Sequence, residues 1–503
     1  MDVALLHVTW AGQRSRVSLL LEEGVDVNMV VYHTTALVAA AAAGHRDIVA
    51  LLLDRGANVN MVVGDTTTLV AAVGGITAIP REVNVPHATT ALVTAAAKGH
   101  RDIVSLLLDR GADVDIIVGD TTALVASVGR ANTSIFHYCR QSLDIESLLL
   151  DRGADVDLVV HATTALIAAV KKVDMGVFRY CRRSHKIVSL LLDRGANVNM
   201  VVGDTTALMT AVERGRPRIV SMLLDKGADV NMVVRDTTAL VVAVIYGYED
   251  LISLLLGRGA GVDIVVCDPW ASITARNGRV LNNFDLDNSN NPGNDTAQET
   301  TALFAAIEIG DPKLVSLLLE KGPDVNMVVR DITALVAALR SSHFCHRRLD
   351  ILSLLLNHGA DVNMVVDDTT ALIVATREKY QDIVSLLLVQ QVDVNVIAGD
   401  VTALIVAVDQ GHRDIVSLLL GRVDTIVHDN FAWAMGEGRE GIVSLFPKKG
   451  ADVNMVVGDV TALVVATGRG NQDIVSLLLK KGADVNMVVG GVTALVVATR
   501  REN

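Results

Sequence analysis

The chain has 503 residues, 51% of them apolar but only 3% aromatic, so its interior rests on Ala, Val and Leu, a composition suited to many thin layers. A net charge of −13 opposes nucleic acid as a partner, since phosphate binding runs on clustered Lys and Arg. The start, MDVALLHVTWAGQRSRV, lacks the features of a signal peptide, no run of about 18 uncharged apolar residues occurs, and Cys139, Cys181, Cys267 and Cys345 match no zinc spacing. These features predict a soluble chain of a reducing, cytoplasmic compartment, with no membrane insertion.

From the N-terminus, VALLHVTWAG predicts a first short helix. The marker TAL or TTL then starts at Thr35, Thr67 and Thr90 and recurs as far as Thr493, most often at a step of 32 residues. The span Thr205–Asp236, TTALMTAVERGRPRIVSMLLDKGADVNMVVRD, shows the unit whole. Thr205 or Thr206 caps a helix carrying Leu208, Ala211 and Val212, and Gly215 ends it in a left-handed turn. A second helix sets Ile219, Val220, Leu223 and Leu224 on one stripe and stops at Gly227. ADVNMVVRD, rich in β-formers and ending in turn residues, predicts an extended finger. Two helices of about ten residues cannot stand alone, because nucleation is unfavourable and one apolar face stays wet. Stacking buries each stripe against the next copy.

TTALVAAAAAGHRDIVALLLDRGANVN, Thr34 to Asn60, resembles the ankyrin repeat almost throughout, and similar stretches cover nearly the whole chain. The resemblance implies an all-α, helix-turn-helix solenoid with β-hairpin fingers, here with about sixteen repeats, some degenerate. Three departures stand out. Ala36 and Ala207 replace the family's proline at the first helical position. Val38, Ile167 and Met209 replace a histidine that braces neighbouring repeats. The finger is one residue shorter and carries an apolar Met-Val-Val. Corner and finger are therefore expected to be looser in polar bonding and stickier.

Regularity breaks at defined places. Residues 74–89 contain Pro80 and Pro86, supply no second helix and predict a bend or defect. Inserts follow at 129–143 and 171–185. A unit starting near Trp270 dissolves into an Asn- and Asp-rich stretch, 282–299, read as a flexible loop between a first array, 1–281, and a second, 300–503. The second array has an insert at 340–349 and a degenerate unit at 421–450. No polar capping repeat closes either end, which predicts a piece of a longer chain or ends covered by a partner.

Motifs that resemble chemistry fall to simpler readings. GEGREG, Gly436 to Gly441, has the dinucleotide spacing but aligns with the turn between two helices. HRD at His45, His100 and His412 lacks the kinase context and opens the second helix. Asp285 to Thr296 lacks the Gly and Glu of a calcium loop. His137, Cys139, Cys181 and His185 are zinc-ligand types without a zinc spacing. The paired inserts also hold Phe136, Tyr138, Arg140, Phe178, Tyr180 and Arg182, which either anchor a partner or pin the inserts to the stack.

No nucleophile and base set, paired carboxylates or phosphate loop emerges, so a non-enzyme without cofactor or metal is expected, binding another protein as a scaffold. The resemblance places binding on the concave face of finger tips and first helices. Side chains that vary between copies there are Tyr32, His161, Arg235, Arg330 and Asp367 on the fingers, and Lys98, Glu213, Arg214, Tyr246 and Gln410 before the first-helix glycine. The alternative is self-association through the Met-Val-Val fingers, if these project rather than fold inward. The resemblance further implies hydroxylation of Asn60 and Asn231.

Overall fold

The structure is a computed structural model that describes residues 2–64, 88–129, 142–171, 182–267, 299–341, 345–390, 392–421 and 450–500. These residues hold 25 helices, in twelve pairs followed by the single helix Ala494–Arg500, and one two-stranded pairing, Val266–Cys267 with Glu299–Thr300. The chain divides into two compact units, Met1–Ala239 and Leu240–Asn503. Each is an all-α stack in which successive helix pairs pack in chain order, joined by fingers.

Local rules set each inner helix. Thr206, not Thr205, caps helix Ala207–Glu213: its hydroxyl accepts the Met209 N–H at 3.1 Å. The Thr205 hydroxyl instead bonds the Thr206 carbonyl and the Thr210 hydroxyl, at 3.3 and 3.2 Å. The same cap recurs at Thr35, Thr90, Thr301, Thr370 and Thr402, each worth about 1 kcal/mol. Gly215 leaves its helix at φ +61°, a conformation that only glycine takes without strain. In the outer helix Pro217–Asp225, Ile219, Val220 and Leu223 are completely buried, and Leu224 lies at the rim of the stripe.

Three sets of bonds join successive pairs, though not all three at every step. The first uses the Asx residues of the finger base. Asn28 Oδ1 accepts the Asn58 N–H at 2.6 Å, Asn60 that of Asp113 at 2.8 Å, and Asn199 that of Asp229 at 2.8 Å. The second unit continues the pattern from Asn326 to Asp361 and from Asn363 to Asp393, both at 2.7 Å. Asn adds a donor: the amides of Asn28, Asn60 and Asn199 reach the carbonyls of Gly56, Gly111 and Gly227. Asp115 and Asp157 do the accepting half alone, from the N–H of Asp155 and Asn197.

The second set is a rail of ion pairs along the outer helices of the first unit: Glu22 to Arg55, Asp54 to Arg110, Asp109 to Arg152, Asp151 to Arg194 and Asp193 to Lys226. The hydrogen bond and charge of Lys226, 2.8 Å away, hold the Asp193 carboxyl below its ordinary range. The third is a histidine brace at the start of the outer helix, a place the sequence reading did not single out for polar bonding. Ring nitrogens of His45, His100 and His412 lie 3.0, 3.3 and 3.1 Å from the carbonyls of Trp10, Ala42 and Thr376, at the ends of the preceding inner helices. The ring of His45 lies so close to Gly12 that a Cβ there would stand 2.8 Å from it.

Contacts also cross the segments outside the described residues. Val63 and Thr89 exchange finger bonds of 2.9 and 3.0 Å, and the helix pairs on either side of residues 65–87 pack against each other. The bend or defect expected at 74–89 falls almost wholly outside the described residues. Val266 pairs with Thr300 in the same way across residues 268–298. The Ala451 N–H reaches the Leu419 carbonyl at 2.9 Å across residues 422–449, and helices Ala403–Asp409 and Ala462–Arg469 pack together. The degenerate units read from sequence near Trp270 and at 421–450 fall almost wholly outside the described residues, and the last unit shows the single helix Ala494–Arg500. A further departure is Glu146, completely buried at the core position that Val104 and Val188 hold in neighbouring pairs.

Partial burial and the carboxylates of Asp155 and Asp113 raise the Asp115 carboxyl, against the lowering effect of its bond from the Asp155 N–H. A raised folded value means that ionised Asp115 opposes folding at neutral pH, a cost that disappears as pH falls through that value and is gone below about pH 4. Asp115→Asn removes the repulsion and gives the Gly153 carbonyl a donor. It should raise unfolding free energy by about 1 kcal/mol at pH 7 in urea titrations. Its advantage should shrink on acidification; an advantage that grows toward pH 4 would contradict this account.

Candidate functional site

Apart from Val63 with Thr89 and Val266 with Thr300, the fingers are two-residue hairpins. Val31 and Thr34 exchange bonds of 2.9 and 3.1 Å around Tyr32 and His33, whose φ values are +51° and +61°. Two successive positive φ values make a type I′ turn, whose twist matches the flanking strands. The same bridge closes Val160 on Thr163, Val234 on Thr237, Val329 on Ile332 and Val366 on Thr369. Glycine takes the first turn position at Gly119, Gly203, Gly399, Gly458 and Gly490. Tyr32, His161, Arg235, Arg330 and Asp367 hold that position in other fingers, at a cost of about 1 kcal/mol each.

Neighbouring tips touch. A Cβ on Gly203 would stand 2.6 Å from the Ala162 Cβ, and one on Gly399 or Gly490 would stand 3.1 Å from the Cβ of Asp368 or Asp459. At these tips the first residue thus abuts the second residue of the tip before it, whereas Gly458 has open space around it. Basic side chains at this position pair across the contact: His161 Nδ1 lies 3.2 Å from Asp120, and Arg235 is ion-paired with Asp204. Arg330 turns away to Glu308 near the end of helix Ala302–Ile309.

Strand alternation gives every finger one outward β-branched residue. These are Val30, Val62, Ile117, Val159, Val201 and Val233 in the first unit and Val265, Val328, Val365, Ile397, Val456 and Val488 in the second, between 39% and 66% exposed. The residue that follows points inward; Val63, Val118, Val160, Val202 and Val234 are buried. The Met-Val-Val finger therefore neither projects nor folds down whole: one valine serves the core and the other meets solvent.

A family model for ankyrin repeats in three copies matches residues 3–63, 148–234, 179–266, 272–366 and 347–429, and a single ankyrin repeat model matches 89–117 and 459–488. The chain belongs to the ankyrin-repeat family. No curated protein matches it. Ankyrin repeats are in general protein-interaction modules and typically non-enzymatic.

On this ankyrin stack the residues singled out from sequence take distinct places. Tyr32, His161, Arg235, Arg330 and Asp367 share one structural position, the first of the tip. Lys98 and Glu213 end helices Ala91–Lys98 and Ala207–Glu213, and Arg214 and Gln410 follow helix ends as C-caps. Tyr246 stacks on Tyr248, with ring centroids 5.5 Å apart. Asn60 has both amide atoms in the inter-pair ladder, and the Asn231 N–H bonds Asp229. Phe136, Tyr138, Arg140, Phe178 and Tyr180 lie outside the described residues, as do His137, Cys139, Cys181, residues 285–296 and residues 436–441. Arg182 begins helix Arg182–Asp193, which also contains His185. Among the described residues no His, Cys, Asp or Glu cluster is placed to hold a metal, and no helix is long and apolar enough to cross a membrane.

The sequence reading missed both the contact between tips and the Asx ladder; the signal for the ladder was the pair of Asx residues two apart in nearly every copy. Because Tyr32 holds a left-handed conformation that glycine takes freely, Tyr32→Gly should stabilise the first unit by about 1 kcal/mol in urea denaturation. A loss of stability instead would show that the Tyr32 ring supports the fold.

Proposed function

We propose that this chain is a protein-interaction scaffold whose binding face is the finger edge together with the adjoining inner-helix ends. The supporting observation is the row of outward Val and Ile residues, six in each unit, beside tip positions that differ from finger to finger. Internal packing leaves that row in solvent, and the Asx ladder holds consecutive fingers in register. Extended apolar exposure of this kind marks interaction sites. Tyr32, Arg235 and Asp367 keep side chains where backbone strain favours glycine, a pattern that fits contact better than folding. The cytoplasm remains the compartment this reading assigns.

A second reading, self-association, draws on the same outward row. Light scattering at low micromolar concentration separates the two: a monomer removes self-association. For the scaffold reading, the double variant Val201→Asp with Val233→Asp should melt like the parent yet lose affinity for a partner captured from source-cell extract by about tenfold or more. Arg101→Glu, exposed on an outer helix, should leave capture unchanged. Equal recovery with the double variant would overturn the finger-edge assignment.

A further inference from the structure

We propose that the finger edge of the second unit takes a basic amphipathic helix of another protein; this rests on the finger-edge reading and names the chemistry of its partner. In the first unit, contacts between tips set a basic group against an acid, His161 against Asp120 and Arg235 against Asp204. The second unit reverses this. Arg330 is engaged with Glu308, and the register that sets Gly399 against Asp368 sets Asp367 against Asp331. Asp331, Asp367, Asp368, Asp400 and Asp459 are all exposed, and none pairs with a Lys, Arg or His among the described residues. The cation that the first unit supplies to Asp204 through Arg235 has no counterpart at these tips, so a partner's Lys and Arg complete them.

The apolar half of the edge sets the partner's shape. Val328, Val365, Ile397 and Val456 point outward two or three residues before those carboxylates, one per finger. Packed helices, and so the fingers they carry, are spaced about 8–10 Å apart. A heptad of α-helix rises about 10.5 Å, so one apolar side chain every seventh residue meets one finger each, with Lys and Arg beside it. An extended strand covers the same distance in about three residues, an odd number that turns alternate side chains away. A second copy of this chain fits poorly, because it brings a net charge of −13 and the same acidic tips.

The probe is a fluorescein-labelled peptide of about three heptads, with Leu at every seventh position and Lys beside it, titrated against the full chain by anisotropy. It should bind about tenfold or more tightly than a scrambled peptide of equal composition, and its Glu-for-Lys counterpart should not bind. Asp331→Asn, Asp367→Asn and Asp368→Asn combined, or Val365→Asp alone, should each weaken binding about tenfold with an unchanged melting temperature. Asp47→Asn, Asp102→Asn and Asp382→Asn combined, on outer helices, remove the same charge and should have no such effect. Equal binding of the scrambled peptide, or indifference to the tip variants, would overturn the proposal in favour of diffuse charge attraction. A dimer that excludes the peptide would overturn it in favour of a second copy. If no peptide binds while the Val201 and Val233 variants still abolish capture, the partner chemistry is wrong and the finger edge stands.

Discussion

At the base of most fingers one backbone N–H finds its partner in the pair before: an Asn or Asp side chain supplies the oxygen, as Asn60 does for Asp113 and Asn395 for Asp452. Everything else in the stack is arranged around that dependence. A helix pair taken alone leaves the N–H to solvent and its apolar stripe wet, so neither the local hydrogen bonding nor the burial is complete until a neighbour arrives. Order therefore lies between pairs, and most pairs offer a carboxamide or carboxylate oxygen forward and an N–H backward. The position of every finger tip follows from it, because the ladder fixes how consecutive fingers lie against each other.

This head-to-tail complementarity explains why one phrase is copied so often. In LLLDRGADV the Asp reaches forward to the Arg or Lys of the next copy and the Arg reaches back, as in Asp109 with Arg152 and Asp151 with Arg194. Two copies fit because they are copies. The same property works across long separations: residues on either side of 65–87, 268–298 and 422–449 present matching ends and bond each other.

What could be read from the residues alone was whatever is settled within a few positions. Thr206, Gly215, Ile219 and Leu223 announced helix start, stop and buried face correctly, since capping and amphipathicity are local. What escaped depended on partners far along the chain. Asn28 bonds a carbonyl 28 residues away and Asn395 an N–H 57 residues away, so nothing beside either residue reveals its task. His45 was read only as part of a helix start, yet its ring bonds Trp10, 35 residues earlier. Near residue 270 the contact that the sequence does not announce is again a distant one: Val266 pairs with Thr300 across 268–298. At the candidate site, the variable tip residues were legible as a set, whereas the contact that joins one tip to the next needs the fold.

The two units use charge in opposite places. In the first, the outer helices carry the acid-base rail and the Arg235 tip is ion-paired with Asp204 of the tip before it. In the second, Gly257, Val389 and Lys480 stand where Asp109 and its equivalents begin the rail, and the tips keep bare carboxylates. Exposed ion pairs add little to stability, about 0 to 1 kcal/mol each, so losing the rail does not unmake the second unit, whose ladder and stripes are intact. Asp enters the left-handed conformation of a tight turn more readily than most side chains, so turn chemistry accounts for an acid at Asp331, Asp367 and Asp368. It does not account for leaving like charges along a row of tips with no cation beside them among the described residues, and that electrostatic cost is what the proposed basic partner would remove.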